Sequence, residues 1–176
     1  MKNKLENERE IIEKLKKGNK RAFEPLVKFY MKRAYNIALG FVHNEQDALD
    51  ISQEAFIRAF RSIKKFDGSK DFFPWFYQII RRLCFDYTKK KKRENISSNN
   101  FFRIVYNPNG NDRFKDILSE ALHKLAPEEK EIIILRYIEG LSYEELAETL
   151  NKPLGTIMSS LFYIKKKLKK ELEGKV

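Results

Sequence analysis

Apolar residues recur along this chain at intervals of three and four, and no two-residue alternation persists long enough to make a sheet. The pattern predicts an all-α protein. Ile11, Ile12 and Leu15 form a first short stripe that stops at Gly18-Asn19. A second helix buries Phe23, Leu26, Val27, Tyr30, Ala34, Ile37 and Phe41, with Pro25 fixing the earliest point at which it becomes regular. Asn44 is placed to cap a third helix, whose inner face is read as Leu49, Phe56, Ala59, Phe60 and Ile63. Asp67-Gly68-Ser69-Lys70 reads as a turn, and Pro74 suits the first position of a fourth helix with Phe76, Ile80, Leu83 and Tyr87 inward.

The pattern lapses after Arg93 into Asn- and Ser-rich sequence, so residues 1–93 and 114–176 are expected to be two small helical domains joined by a flexible linker over 94–113. Phe101, Phe102 and Ile104 interrupt the linker and could dock on a partner. Past it come a helix from about Phe114 to Lys124 and another from Pro127 to about Glu139, ended by Gly140. Ser142-Tyr143-Glu144-Glu145 is a capping box that opens a short helix lined by Leu146, Ala147 and Leu150. Asn151-Lys152-Pro153 breaks it, and Ile157, Leu161, Ile164 and Leu168 stripe the last helix. Small Ala147 permits the close crossing of a helix-turn-helix. Its outward face is then Thr156, Ser159, Ser160 and Tyr163, followed by Lys165 and Lys166. An αα-hairpin with a solvated lysine tail is the bland alternative.

Charge sharpens this picture. The formal charge is +11, and the first 93 residues hold 23 basic and 12 acidic groups against 13 of each in the remainder. A polyanionic partner is therefore expected to meet the first domain above all. Within 72–93, Phe72, Trp75 and five other aromatics run into Arg81, Arg82, Lys89, Lys90, Lys92, Arg93 and a further lysine. Cations hold a phosphate backbone while aromatic faces accept unstacked bases, so melting DNA is the first hypothesis. On the third helix Asp47, Asp50, Glu54 and Arg58 are read as one exposed stripe, either simply solvated or a docking surface for a basic protein. A metal-dependent nuclease built on these carboxylates is disfavoured, because no second ligand cluster faces them. One cysteine, Cys84, read as a small core residue, and two isolated histidines supply neither an internal disulfide nor a metal set, so a reducing cytoplasm and no cofactor are expected. No signal peptide and no membrane-spanning run are found, so no membrane insertion is expected.

Asp47-Ala48-Leu49-Asp50-Ile51-Ser52-Gln53-Glu54-Ala55-Phe56, the stretch Phe73 to Ile79 and the helix-turn-helix of Leu125 to Leu168 together resemble an extracytoplasmic-function sigma factor of the bacterial sigma-70 family. The resemblance covers nearly the whole chain. It implies no catalytic activity, core RNA polymerase and promoter DNA as partners, and control by an anti-sigma factor. It implies that Asp50, Gln53 and Glu54, with Asp47 and Arg58, bind core polymerase, and that the turn from Phe66 to Phe72 takes a flipped base of the minus-ten element. The second domain would read the minus-thirty-five element. Two departures stand out: Arg82 replaces an amide common in relatives, and Met158-Ser159-Ser160-Leu161-Phe162-Tyr163 lacks three usual cations. Upstream binding should then be weaker and less salt-dependent than in relatives. A polymerase-independent helix-turn-helix repressor is the rival reading, but no apolar dimer surface is evident.

Overall fold

The computed structural model describes residues 5–93, 120–122 and 124–173, and of Lys92 and Arg93 the backbone alone. The linker predicted over 94–113, with Phe101, Phe102 and Ile104, most of the helix predicted from Phe114, and His123 lie outside the described residues. All regular elements among the described residues are helical, in agreement with the sequence pattern. They are α1 (Glu8–Lys16), α2 (Glu24–Val42), α3 (Glu45–Ser62), α4 (Phe72–Arg93), α5 (Pro127–Ile133), α6 (Tyr143–Leu150) and α7 (Leu154–Leu172), with short 3-10 turns at Lys20–Phe23 and Ile63–Lys65.

α2, α3 and α4 form the first bundle, and α1 packs against the turns at Lys20–Phe23 and Ile63–Lys65. Asn44 caps α3 as its sequence predicts, its side-chain oxygen accepting the Asp47 amide at 2.9 Å. The register of α3 differs from the expectation. Ala48, Ile51, Ser52, Ala55, Phe56 and Ala59 face inward, whereas Leu49 is 38% exposed and Phe60 only partly buried. Alanines carry this packing because a small side chain lets α3 approach α2 closely, so the larger Leu49 is displaced to the outer face.

α4 starts at Phe72, two residues before the predicted Pro74. The cause is Glu8 on α1, whose buried carboxylate accepts the Phe72 amide at 3.1 Å and the Tyr30 hydroxyl at 2.5 Å. An orphan amide at the helix start is thereby satisfied by a residue 64 positions away. Burial and then the Glu8 hydrogen bond push the Tyr30 phenol well above its usual range.

In the second domain α5 continues into a wider turn over Ile134–Ile138, marked by the Glu139 amide donating to the Ile134 carbonyl five residues back. The capping box is formed: the Ser142 hydroxyl accepts the Glu145 amide at 3.1 Å, and the Glu145 carboxylate accepts the Ser142 amide at 2.6 Å. Asn151 ends α6 in the left-handed conformation with φ 51°. The two domains pack against each other: Ile134 is fully buried against Gly40 of α2, where an added Cβ would lie 2.7 Å from its Cδ1.

Candidate nucleic-acid interface

The aromatic run at the start of α4 divides into core and surface. Phe72, Phe73, Phe76 and Tyr77 are buried, and Phe72 and Phe76 stack at 5.3 Å. Phe66 is also buried, 6.0 Å edge-on to Phe72. Phe66 and Phe72, both expected in the DNA interface, therefore pack in the bundle core and expose no ring face in this conformation. Trp75 differs. It rests on Phe66 at 4.8 Å and on Phe72 at 5.5 Å, yet remains half-buried, with one side toward solvent.

That side lines an open cleft of about 600 Å³. Arg58, Arg61 and Ser62 form its α3 wall, and Trp75, Gln78, Ile79, Arg81 and Arg82 its α4 wall. Four guanidiniums around one indole can hold phosphates and stack an unpaired base, the combination that single-stranded nucleic acid requires. Arg82 is exposed, and Lys89 and Lys90 extend the cationic side of α4 beyond the cleft. The side chains of Lys92 and Arg93 lie outside the described residues.

The acidic stripe of α3 also divides. Asp47 faces α4, accepting the Tyr87 hydroxyl and, at 3.1 Å, the Lys91 ammonium. The Tyr87 hydrogen bond and then Asp47 hold the Lys91 ammonium above its ordinary range, while burial and then the Asp47 hydrogen bond raise the Tyr87 phenol. Asp47 thus ties α3 to α4 and does not share the outer face with Asp50. Glu54 accepts from Arg58 Nε at 2.7 Å, an i,i+4 pair. Asp50 and Gln53 are exposed, and Leu49 and the 45% exposed Ile57 lie beside them. Asp47, Asp50 and Glu54 do not converge, and no cluster able to hold a metal is found among the described residues.

Sequence reasoning did not anticipate how the second domain covers part of α4. Glu131 of α5 is buried and receives three bonds to one carboxylate: the Tyr77 hydroxyl at 2.5 Å, Arg81 Nε at 2.6 Å and Arg81 Nη2 at 3.4 Å. Gln78 donates to the Thr149 carbonyl at 2.7 Å. On α2, Arg33 stacks 3.6 Å over the Phe73 ring and pairs with Glu139 at 3.0 Å. Burial outweighs Arg33 and raises the Glu139 carboxyl above its ordinary value. Arg81, an expected DNA contact, is therefore shared between the cleft and Glu131. Cys84 is fully buried, and burial pushes its thiol up, so it is a core residue.

The front of α7 is not covered by any other described residue. Thr156, Ser159, Tyr163, Lys165 and Lys166 are exposed and Ser160 partly so, while Ile157, Leu161 and Ile164 pack inward as the stripe predicts. No helix among the described residues is long and apolar enough to cross a membrane.

A cationic cleft on one domain and a capped helix-turn-helix with an exposed polar front on the other define a two-module DNA-binding protein. Two family models, described as sigma-70 region 2 and sigma-70 region 4, match residues 26–94 and 115–168. The RNA polymerase sigma-H factor of Pseudomonas aeruginosa is 29% identical over 183 residues, covering 96% of this chain and 95% of its own. The ECF RNA polymerase sigma factor SigW of Bacillus subtilis is 29% identical over 180 residues, covering 92% and 94%. CnrH, solved in complex with the cytosolic domain of CnrY, shares the fold with a TM-score of 0.73 at 23% identity over 96% of this chain and 98% of that one. RpoE of Bartonella quintana, solved with the anti-sigma factor NepR, gives 0.69 at 22% identity over 88% and 98%. The chain belongs to the sigma-70 family, as one of its extracytoplasmic-function sigma factors.

Proposed function

We propose that this protein directs core RNA polymerase to particular promoters and starts transcription there. The observation that carries the reading is the arginine cleft around Trp75, joined in one chain to a helix-turn-helix whose front is exposed among the described residues. The cleft supports opening and reading of the downstream promoter element by Trp75, Arg81 and Arg82, with Lys89 and Lys90 on the backbone. The exposed Asp50 and Gln53, with Glu54 and Arg58 at their edge, support docking of core polymerase. Thr156, Ser159, Ser160, Tyr163, Lys165 and Lys166 would face the upstream element. Control by an anti-sigma factor fits the fold shared with RpoE, which was solved with one.

Run-off transcription tests this. The chain added to core polymerase on promoters selected by the resulting holoenzyme should give a defined transcript, and Trp75→Ala should reduce open-complex formation more than closed-complex binding. Tight operator binding by the protein alone, with no transcript on adding core enzyme, would replace the reading with that of a repressor.

A further inference from the structure

From Pro153 to Ile164 the chain contains no Arg, Lys, His, Asn, Gln, Asp or Glu. These residues include the first three turns of α7, the helix whose N-terminal part enters the major groove in a helix-turn-helix. Bidentate reading of guanine or adenine needs Arg, Lys, Asn or Gln, and reading cytosine needs a carboxylate. None is present. The serine and threonine hydroxyls pair with more than one base, and the Ser159 hydroxyl already donates to the Thr156 carbonyl at 3.1 Å.

The side of α7 next to that polar front offers apolar surface instead. Leu154 is 40%, Met158 51% and Phe162 62% exposed, although Ile157, Leu161 and Ile164 on the same helix are buried. Spaced by four, the three exposed residues stand in one row about 12 Å long on the helix surface. Phe162 also packs edge-on to Tyr163 at 5.5 Å, which limits its freedom. In the major groove the chemical feature an apolar side chain can recognise is the thymine C5 methyl. Charge points to DNA as the occupant: the row runs into exposed Lys165, Lys166, Lys169 and Lys170, placed to meet phosphates flanking a groove.

We propose that Met158 and Phe162 are specificity-determining residues that read thymine methyls in the upstream promoter element, with Leu154 continuing the row. The inference rests on the sigma-factor reading above and adds the base chemistry that this helix selects.

The test starts from upstream elements selected out of randomised duplexes by holoenzyme made with the full chain. Each thymine is then replaced in turn by deoxyuridine, which deletes the methyl and nothing else. At two neighbouring positions the replacement should weaken binding about fourfold, the effect of losing one buried methyl-sized contact. Met158→Ala should erase the sensitivity at one position and Phe162→Ala at the other, with sensitivity elsewhere unchanged. Both side chains are exposed, so folding is not at stake. Deoxyuridine duplexes that bind like thymine duplexes would overturn the inference. So would variants that lose transcription while the wild type ignores the methyl, because that result assigns the row to a protein partner. Holoenzyme that selects no duplex at all would instead remove the sigma-factor reading beneath it.

Discussion

Arg81 of α4 and Glu131 of α5 meet at 2.6 Å across the boundary between the two domains, and the same carboxylate oxygen accepts the Tyr77 hydroxyl. The pair is unequal. Glu131 is 2% exposed and Arg81 36%, so the arginine can turn to water or to phosphate while the carboxylate cannot leave its site without the domains parting. Removing Arg81 strands a buried charge, which costs about 3–5 kcal/mol, whereas neutralising Glu131 leaves an arginine with solvent at hand. Arg81→Ala should therefore uncouple the domains and split thermal unfolding into two transitions. Glu131→Gln should keep one transition and bind downstream-element single strand more tightly, since Arg81 is released. Equal effects of the two substitutions on unfolding would contradict this asymmetry.

A second contact between the domains is purely steric. Gly40 lets Ile134 approach so closely that an added Cβ would stand 2.7 Å from Ile134 Cδ1 and 3.0 Å from Cγ1. Ile134 is fully buried and has little room to retreat. Gly40→Ala should destabilise the protein by about 1–3 kcal/mol, the usual cost of overpacking. Because the closest atom is the terminal methyl, Ile134→Val should relieve much of it. Denaturant titration of both single variants and the double variant checks the coupling: additive losses would show that Gly40 does not act through Ile134.

Most of the helices were legible in the sequence because their ends are local. Asn44, the Ser142–Glu145 box and the break at Asn151-Lys152-Pro153 each act within a few residues. The start of α4 is not legible locally because Glu8, far away in sequence, completes it. The face of α3 is not legible from apolar character alone, because side-chain size decides what fits against α2. A repeat of small residues, Ala48, Ser52, Ala55 and Ala59, was the available signal. For the site, the cations of α4 were legible by type, but which aromatics reach the surface depends on Tyr30, Phe56 and Phe66 filling the core beneath them. The roles of Glu131, Glu139 and Arg33 had no sequence signal, since each is defined by a partner at least 50 residues distant.

Glu139 makes the domain contact pH-dependent. Its carboxyl is raised above the ordinary value of 4.5, chiefly by burial and against the pull of Arg33. An acid whose pKa is higher in the native state binds more protons there than when unfolded, so its contribution to stability falls as pH rises from about 4.5 through the raised value. Glu139→Gln cannot titrate. The stability difference between wild type and Glu139→Gln should consequently shift in favour of the variant between pH 4 and pH 7. Urea unfolding across that range measures it, and a gap that stays constant or moves toward the wild type would refute the direction.

The charge division between the halves makes a prediction about salt. The first 93 residues carry the entire net charge of +11, and Lys89 and Lys90 are exposed at the distal end of α4, past the arginine cleft. In the second domain Lys165 and Lys166 are equally exposed, but they sit in a half whose acidic and basic groups balance. Each phosphate neutralised contributes about 0.9 to the slope of log affinity against log salt on duplex DNA. Lys89→Ala with Lys90→Ala should lower the slope for promoter binding by holoenzyme by about two units if both meet phosphate. Lys165→Ala with Lys166→Ala should lower it by less, because that half of the chain has no net positive charge to hold it to DNA. Competition binding from 50 to 200 mM salt, about the span in which such contacts change affinity most visibly, separates the two pairs. A larger loss from the second pair would place the dominant phosphate contacts on α7 instead of α4.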